Sequence, residues 1–191
     1  MTHSDFEASA REVIENYWRI RAALKLMRPT IENGAQQLQF EGIPQVGCMS
    51  GLLQAETIAE AHISLGAYVT HRLSRDMFLA LIAAFEQRLI SWLSMAGQGA
   101  SGTLGGLQHA IQKVTSLPSD LIKDLDEVRE RRNAQMHHNG LADDKYVAAA
   151  LKVNARAPNH VPIVAVGTSV VPDGHYLTYA ADVLARYSAA I

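Results

Sequence analysis

Apolar residues in this chain recur at alternating spacings of three and four along several long segments. Such a repeat folds as a bundle of amphipathic helices. The series Val13, Tyr17, Ile20, Leu24, Met27 and Ile31 makes one unbroken stripe, because a helix of 3.6 residues per turn brings those positions to a common face. Upstream, Ser4 and Glu7 stand at the spacing of a capping box. Pro29 is expected to kink or shorten the last turn, and Asn33-Gly34 supplies a stop. A second stripe, Phe78, Leu81, Ile82, Phe85, Leu89, Trp92 and Leu93, predicts a central core helix between Met77 and Met95.

Glycine and proline punctuate the remainder. Glu41 to Gly51 reads as a loop, with a helical region from Leu52 onward. Gly97 to Gly106 holds five glycines but lacks the Gly-Lys-Ser/Thr ending of a phosphate-cradling loop, so it reads as a connection. A short helix is expected over Leu107 to Thr115, closed by Leu117-Pro118, with Ser119 as the next N-cap. Leu121, Ile122, Leu125 and Val128 set the buried face of the helix that follows, and Asn139-Gly140 ends it with a Schellman-type signal. After a helical Val147 to Lys152, the runs Val161 to Val166 and Ser169 to Val171 flank Gly167-Thr168 as a small hairpin, which Pro162 confines to an edge. Asp173 can cap a last helix striped by Tyr176, Ala180, Val183, Leu184 and Tyr187. The expected fold is all-α: a bundle of about five to seven helices with a small β-hairpin before the last, as one domain over residues 1–191.

With 191 residues, 48% hydrophobic and 19% charged, the chain can bury one core of ordinary size. Cys48 is its one cysteine, so it holds no intramolecular disulfide and no cysteine-built zinc site. Met1 to Glu15 is acidic and polar, and no run reaches the roughly 18 apolar residues of a membrane span. These features lead us to expect a cytoplasmic protein with no membrane partner. A formal net charge of −2 provides no global field for nucleic acid, so any RNA site must be local.

One stripe breaks its own rule. Continuing Leu121, Leu125 and Val128 by helical spacing reaches Arg132 and the neighbourhood of Met136, which puts a guanidinium where an apolar side chain is expected. Burying it costs several kcal/mol unless it meets an acidic partner, an anion or another subunit. Asn133 and His137, four residues apart, share a face beside it, with Arg129 one turn back. Arg can fork onto a phosphate, His can exchange a proton near neutral pH, and Asn can orient either. The competing reading is that Arg131, Arg132 and His137 or His138 only complement the helix dipole. From Lys123 to His138 four basic residues balance four acidic ones, so no standing field for RNA is evident there.

The string Arg132-Asn-Ala-Gln-Met-His137 resembles the signature of the HEPN superfamily, an Arg followed after four to six residues by His, commonly with Asn, Asp or His directly after the Arg. His138-Asn139-Gly140 with Asp144-Lys145-Tyr146, Phe85-Glu86 in the earlier core helix, and a hairpin leading to a helix with Tyr176-Leu177 are similar to HEPN domains too. The likeness covers Ala67 to the C-terminus, and the first 60 residues by helix content alone. It implies a helical homodimer with the two motif helices together, forming one composite cleft. Many such proteins are metal-independent RNA endonucleases, toxins or anti-phage effectors, some with a cognate antitoxin; others are non-catalytic binding modules.

On the first reading, a ribose 2′-OH attacks the adjacent phosphate. His137 serves as general base or acid, Arg132 stabilises charge on the phosphate oxygens, and Asn133 orients Arg or His. Glu86 or Glu130 is expected to hold Arg132; His138 and Arg129 rank as supporting residues. On the second reading, the same cleft binds a nucleotide or protein without chemistry. A third, a metal hydrolase from His62, His71 and His137, lacks any HExxH-like spacing. No cofactor or metal is expected.

Overall fold

A computed structural model describes residues 1–32, 58–99, 102–157 and 161–191. Its described residues form seven α-helices: α1 His3–Glu32, α2 Ile58–Tyr68, α3 Ser74–Met95, α4 Leu104–Val114, α5 Ser119–His137, α6 Asp144–Arg156 and α7 Gly174–Ala190. A π-helical turn, Val69–Leu73, joins α2 to α3 so that the two run as one rod. The described residues are mostly helical and hold no strand beyond one isolated bridge. The expected loop at Glu41 to Gly51, Cys48 and the helix start at Leu52 lie outside the described residues.

The α3 stripe does what its spacing predicts: Phe78, Leu81, Ile82, Phe85, Leu89 and Leu93 are all buried. Phe85 lies between α1 and α7, its ring 5.5 Å from Phe6 and 5.7 Å from Tyr187. Trp92 Nε1 donates to the Ile191 carbonyl at 2.5 Å and ties the end of α7 to α3. The stretch His62–Met95 is long and apolar enough to cross a membrane by length and composition; its α3 part forms the centre of this bundle.

The start of α1 is capped two residues earlier than the Ser4 and Glu7 spacing suggests. Thr2 Oγ1 accepts from Asp5 N at 3.1 Å, and Asp5 Oδ2 accepts from Thr2 N at 2.7 Å, a reciprocal box that lets Phe6 and Ala10 join the core. α1 then continues through Pro29 to Glu32. Ile20, expected on the buried stripe, is 39% exposed, because the face that packs on α3 and α7 runs through Phe6, Ala10, Val13 and Tyr17.

α5 packs against α6 and α7. Buried Asp124 receives Arg156 from α6 and Arg186 from α7, the latter at 3.4 Å, so one carboxylate ties three helices. Ser119 is the first helical residue of α5 rather than its cap, which falls at Pro118. The C-terminus is the expected Schellman arrangement: Asn139 and Gly140 have φ of 53° and 77°, and Gly140 N donates to the Ala134 carbonyl at 2.9 Å. Asp143 and Asp173 cap α6 and α7, each accepting from the third residue on at 2.8 Å.

No hairpin between Val161 and Val171 is formed among the described residues. Gly167, at φ 83°, does turn the chain, but the backbone beyond it pairs with the segment after α5. Leu141 bridges Ser169 antiparallel, Ala142 N donates to the Thr168 carbonyl and Val170 N to the Gly140 carbonyl, each at 2.8 Å. Gln135, itself buried, adds a bond from Nε2 to the Val170 carbonyl at 3.0 Å. The C-terminal end of α5 is thereby held from both sides.

Candidate functional site

The last two turns of α5 present two arginines to opposite environments. Arg131 is 3% exposed and Arg132 about a fifth. The arginine on the buried stripe is therefore Arg131, not Arg132 as the spacing suggested. From Val128 the stripe continues by three residues to Arg131 and Ala134, and Met136 is 49% exposed. A helix allows either step, and only the position of α6 and α7 selects one.

Arg131 Nε lies 3.3 Å from Glu127 Oε1, its Nη2 donates to the Tyr146 hydroxyl, and its guanidinium stacks 3.5 Å from the Tyr176 ring centroid. Tyr176 in turn donates its hydroxyl to Glu127 Oε2 at 2.9 Å. Burial pushes the Glu127 carboxyl above the usual carboxylate range, with Arg131 and the Tyr176 hydroxyl opposing. The reading of Arg131 as a mere dipole complement is overturned: it is the centre of a buried polar network shared by α5, α6 and α7. The sequence carries a faint sign of this network, a Glu and an Arg four residues apart on the face that Leu121 and Leu125 define.

Arg132 lies on the rim of a cleft of about 380 Å³ at the end of α5. Its Nη2 is 3.7 Å from Glu86 Oε1 on α3, and its Nη1 donates to Asn133 Oδ1 at 3.5 Å. Of the two carboxylates expected to hold it, Glu86 is in reach. Glu130 is engaged elsewhere, accepting from Arg129 Nη2 at 2.9 Å and from Asn133 Nδ2 at 3.1 Å. Arg129 also pairs with Asp126 at 2.9 Å and donates to Gln108 Oε1 on α4 at 2.6 Å, so its cation is neutralised within the protein. Asn133 thus joins Glu130 to Arg132 and sets both side chains relative to α5.

His137 is exposed in the last turn of α5 and lines the same cleft. His138, the next residue, sits with Nε2 3.5 Å from Asp143 Oδ2, the α6 cap. Lys145 adds a flexible cation to the rim. Part of the lining comes from residues that the sequence did not single out. α4 begins at Leu104, three residues before the expected start, and Thr103, Leu104 and Gly105 border the cleft. The first turn of a helix carries unsatisfied N–H groups and the positive end of its dipole. Arg132, His137, Lys145 and this helix end therefore meet around one open volume, with Glu130 and Asp143 as its negative groups.

The chain matches no family model, no curated protein and no solved structure.

Among the described residues no three His, Cys, Asp or Glu side chains converge as a metal-holding group. His62 is bonded through Nε2 to the Leu24 carbonyl at 3.1 Å, on the face between α1 and α2. Arg132, the first turn of α4 and the His137 imidazole all line this cleft, a set of groups suited to an anion and to proton exchange.

Proposed function

We propose that this protein is a metal-independent endoribonuclease of HEPN-like type, cytoplasmic, and acting as a toxin or anti-phage effector. The observation that carries the reading is the cleft at the end of α5, into which Arg132, braced by Glu86 and Asn133, and the exposed His137 both open. In the reaction, His137 takes the proton of a ribose 2′-OH as that oxygen attacks the adjacent phosphorus. The bond from phosphorus to the 5′ oxygen breaks, and an acid returns a proton to the leaving oxygen. A 2′,3′-cyclic phosphate and a 5′-OH result. Arg132 stabilises the negative charge that grows on the non-bridging oxygens, the preorganised electrostatic term that often dominates such catalysis.

One exposed imidazole serves one proton transfer at a time. A homodimer that brings two α5 ends together supplies the second His137, and His138 is the reserve within one chain. An antitoxin or regulatory partner would act by covering this cleft.

A non-catalytic nucleotide- or protein-binding module is the second reading, favoured by the carboxylates of Glu130 and Asp143 in the cleft wall. Cleavage of a mixed cellular RNA pool in excess EDTA separates the two. Loss of cleavage in both His137→Ala and Arg132→Ala, with cyclic-phosphate ends from the wild type, supports the ribonuclease. An inert, folded, dimeric wild type supports the module.

A further inference from the structure

Charge along α1 is divided. Its first half holds Asp5, Glu7, Glu12 and Glu15 against Arg11, whereas from Trp18 to Arg28 it carries Arg19, Arg21, Lys25 and Arg28 with no acidic residue. Trp18, Arg21, Lys25 and Arg28 follow one another at spacings of three, four and three, so they share a face, with the three cations spread over about 10 Å of helix axis. That face forms one side of a groove of about 600 Å³, and Val69 and Thr70 of the π-helical turn line the other.

Three further observations point to a ligand. Trp18 is 37% exposed, with the Arg21 guanidinium over its ring at 5.5 Å and the His175 ring 5.8 Å away at a steep angle, so part of the indole reaches the surface in an orientation that its neighbours fix. No carboxylate of the described residues lies within ion-pair distance of Arg21 or Lys25; Arg21 donates only to the Tyr17 hydroxyl, at 3.3 Å. Beside His62 and Gly66 of α2, the groove is lined by Val69 and Thr70 of a π-helical segment, a rare form that is frequent at functional sites. Completion of the α1 dipole does not account for the cations, since that effect fades beyond the last turn and Arg21 lies far from Glu32.

We propose that this groove is a second binding site, separate from the α5 cleft, that holds the backbone of single-stranded RNA on Arg21 and Lys25 while Trp18 stacks on a base. A line of cations beside an aromatic platform is the arrangement that retains single strands without reading their sequence. The inference rests on the reading of RNA as substrate, and it gives a chain of net charge −2 a local surface with which to hold RNA near the cleft.

The test uses His137→Ala protein, which keeps the RNA intact, and a labelled oligouridylate of about ten nucleotides. Fluorescence anisotropy is measured over a range of salt, and indole emission is followed with Trp92→Phe added so that Trp18 is the sole tryptophan. We expect binding to quench Trp18. Arg21→Glu with Lys25→Glu should weaken binding at least tenfold and lower the salt slope by about 1.4, two phosphate contacts on a single strand. Trp18→Ala should weaken binding on the order of tenfold. Undiminished binding by the charge-reversed protein overturns the groove and leaves the ribonuclease reading standing. No binding by folded protein overturns both. Binding of an oligoglutamate as tight as that of the RNA overturns the nucleic-acid assignment and gives the groove to an acidic protein segment.

Discussion

Arg131 and Glu127 face each other across one turn of α5, Nε 3.3 Å from Oε1, with side chains 3% and 0% exposed. Two charges so deeply buried are tolerable because they lie within ion-pair distance and the hydroxyls of Tyr146 and Tyr176 bond to Arg131 Nη2 and Glu127 Oε2, while Nε and Oε1 themselves make no hydrogen bond. Arg131→Met leaves a lone buried carboxylate, and urea unfolding at neutral pH should register a loss of about 3–5 kcal/mol. Adding Glu127→Leu should recover most of it. The loss in the single variant should shrink in acid. Burial already raises the Glu127 carboxyl above its ordinary 4.5, and without Arg131 the rise is larger. A raised folded value means stability that is present below 4.5 and lost as pH climbs through the folded value. An equal loss at all pH values would refute this account.

Glu86 and Arg132 meet between α3 and α5 at 3.7 Å, each about a fifth exposed. Glu86→Gln should therefore change stability by less than about 1 kcal/mol. If Glu86 positions Arg132, RNA cleavage by the variant should fall on the order of tenfold in kcat with KM nearly unchanged, since the interaction matters most as charge develops. Glu86→Asp should regain part of the rate. An unaltered kcat would remove Glu86 from the site.

Four tyrosines resist ionisation, in each case first because of burial: Tyr146 is pushed up to about 12, and Tyr176, Tyr179 and Tyr187 are also raised. In the unfolded chain they titrate near 10, so the folded state holds their protons more tightly. The stabilisation is complete below pH 10 and fades as pH rises towards and beyond about 12. Circular dichroism and tyrosinate absorbance recorded together should show these tyrosines ionising in the same step as helix loss. Their ionisation well before any loss of helix would contradict the burial.

Gly174 opens α7 against α1, where a Cβ would stand 2.4 Å from Tyr17 Cε1 and 3.0 Å from Trp18 Cζ2. Tyr17 is 2% exposed and has no room to retreat. Gly174→Ala should cost about 1–3 kcal/mol as an overpacked contact, seen as a lower Tm. An unchanged Tm would mean that α1 and α7 can separate without penalty.

Much of the fold was legible because local rules repeat. The α3 stripe needed only a period of 3.6, the end of α5 only the tolerance of Asn139-Gly140 for positive φ, and the caps at Asp143 and Asp173 only a short acceptor before an apolar run. The Ser4 and Glu7 spacing points to a cap two residues late, because the Thr2–Asp5 box is chosen by the burial of Phe6, which local spacing does not reveal. The hairpin was expected because Gly167-Thr168 does turn, but a turn does not choose its partner strand, and Leu141 competes successfully for Ser169.

The sequence by itself determined the helices, their order, and the shared face of Arg129, Asn133 and His137 with Arg132 beside it, because positions within about one turn are related by covalent geometry alone. Tertiary structure decided which arginine is buried and which is offered to the cleft, since i+3 and i+4 are equally near a stripe until α6 and α7 dock. It also decided that Glu86 reaches Arg132, that the start of α4 walls the cleft, and that Trp18 and Arg21 meet the π-helical turn across a groove. Each of these joins residues far apart in the chain, and their proximity follows from how whole helices pack.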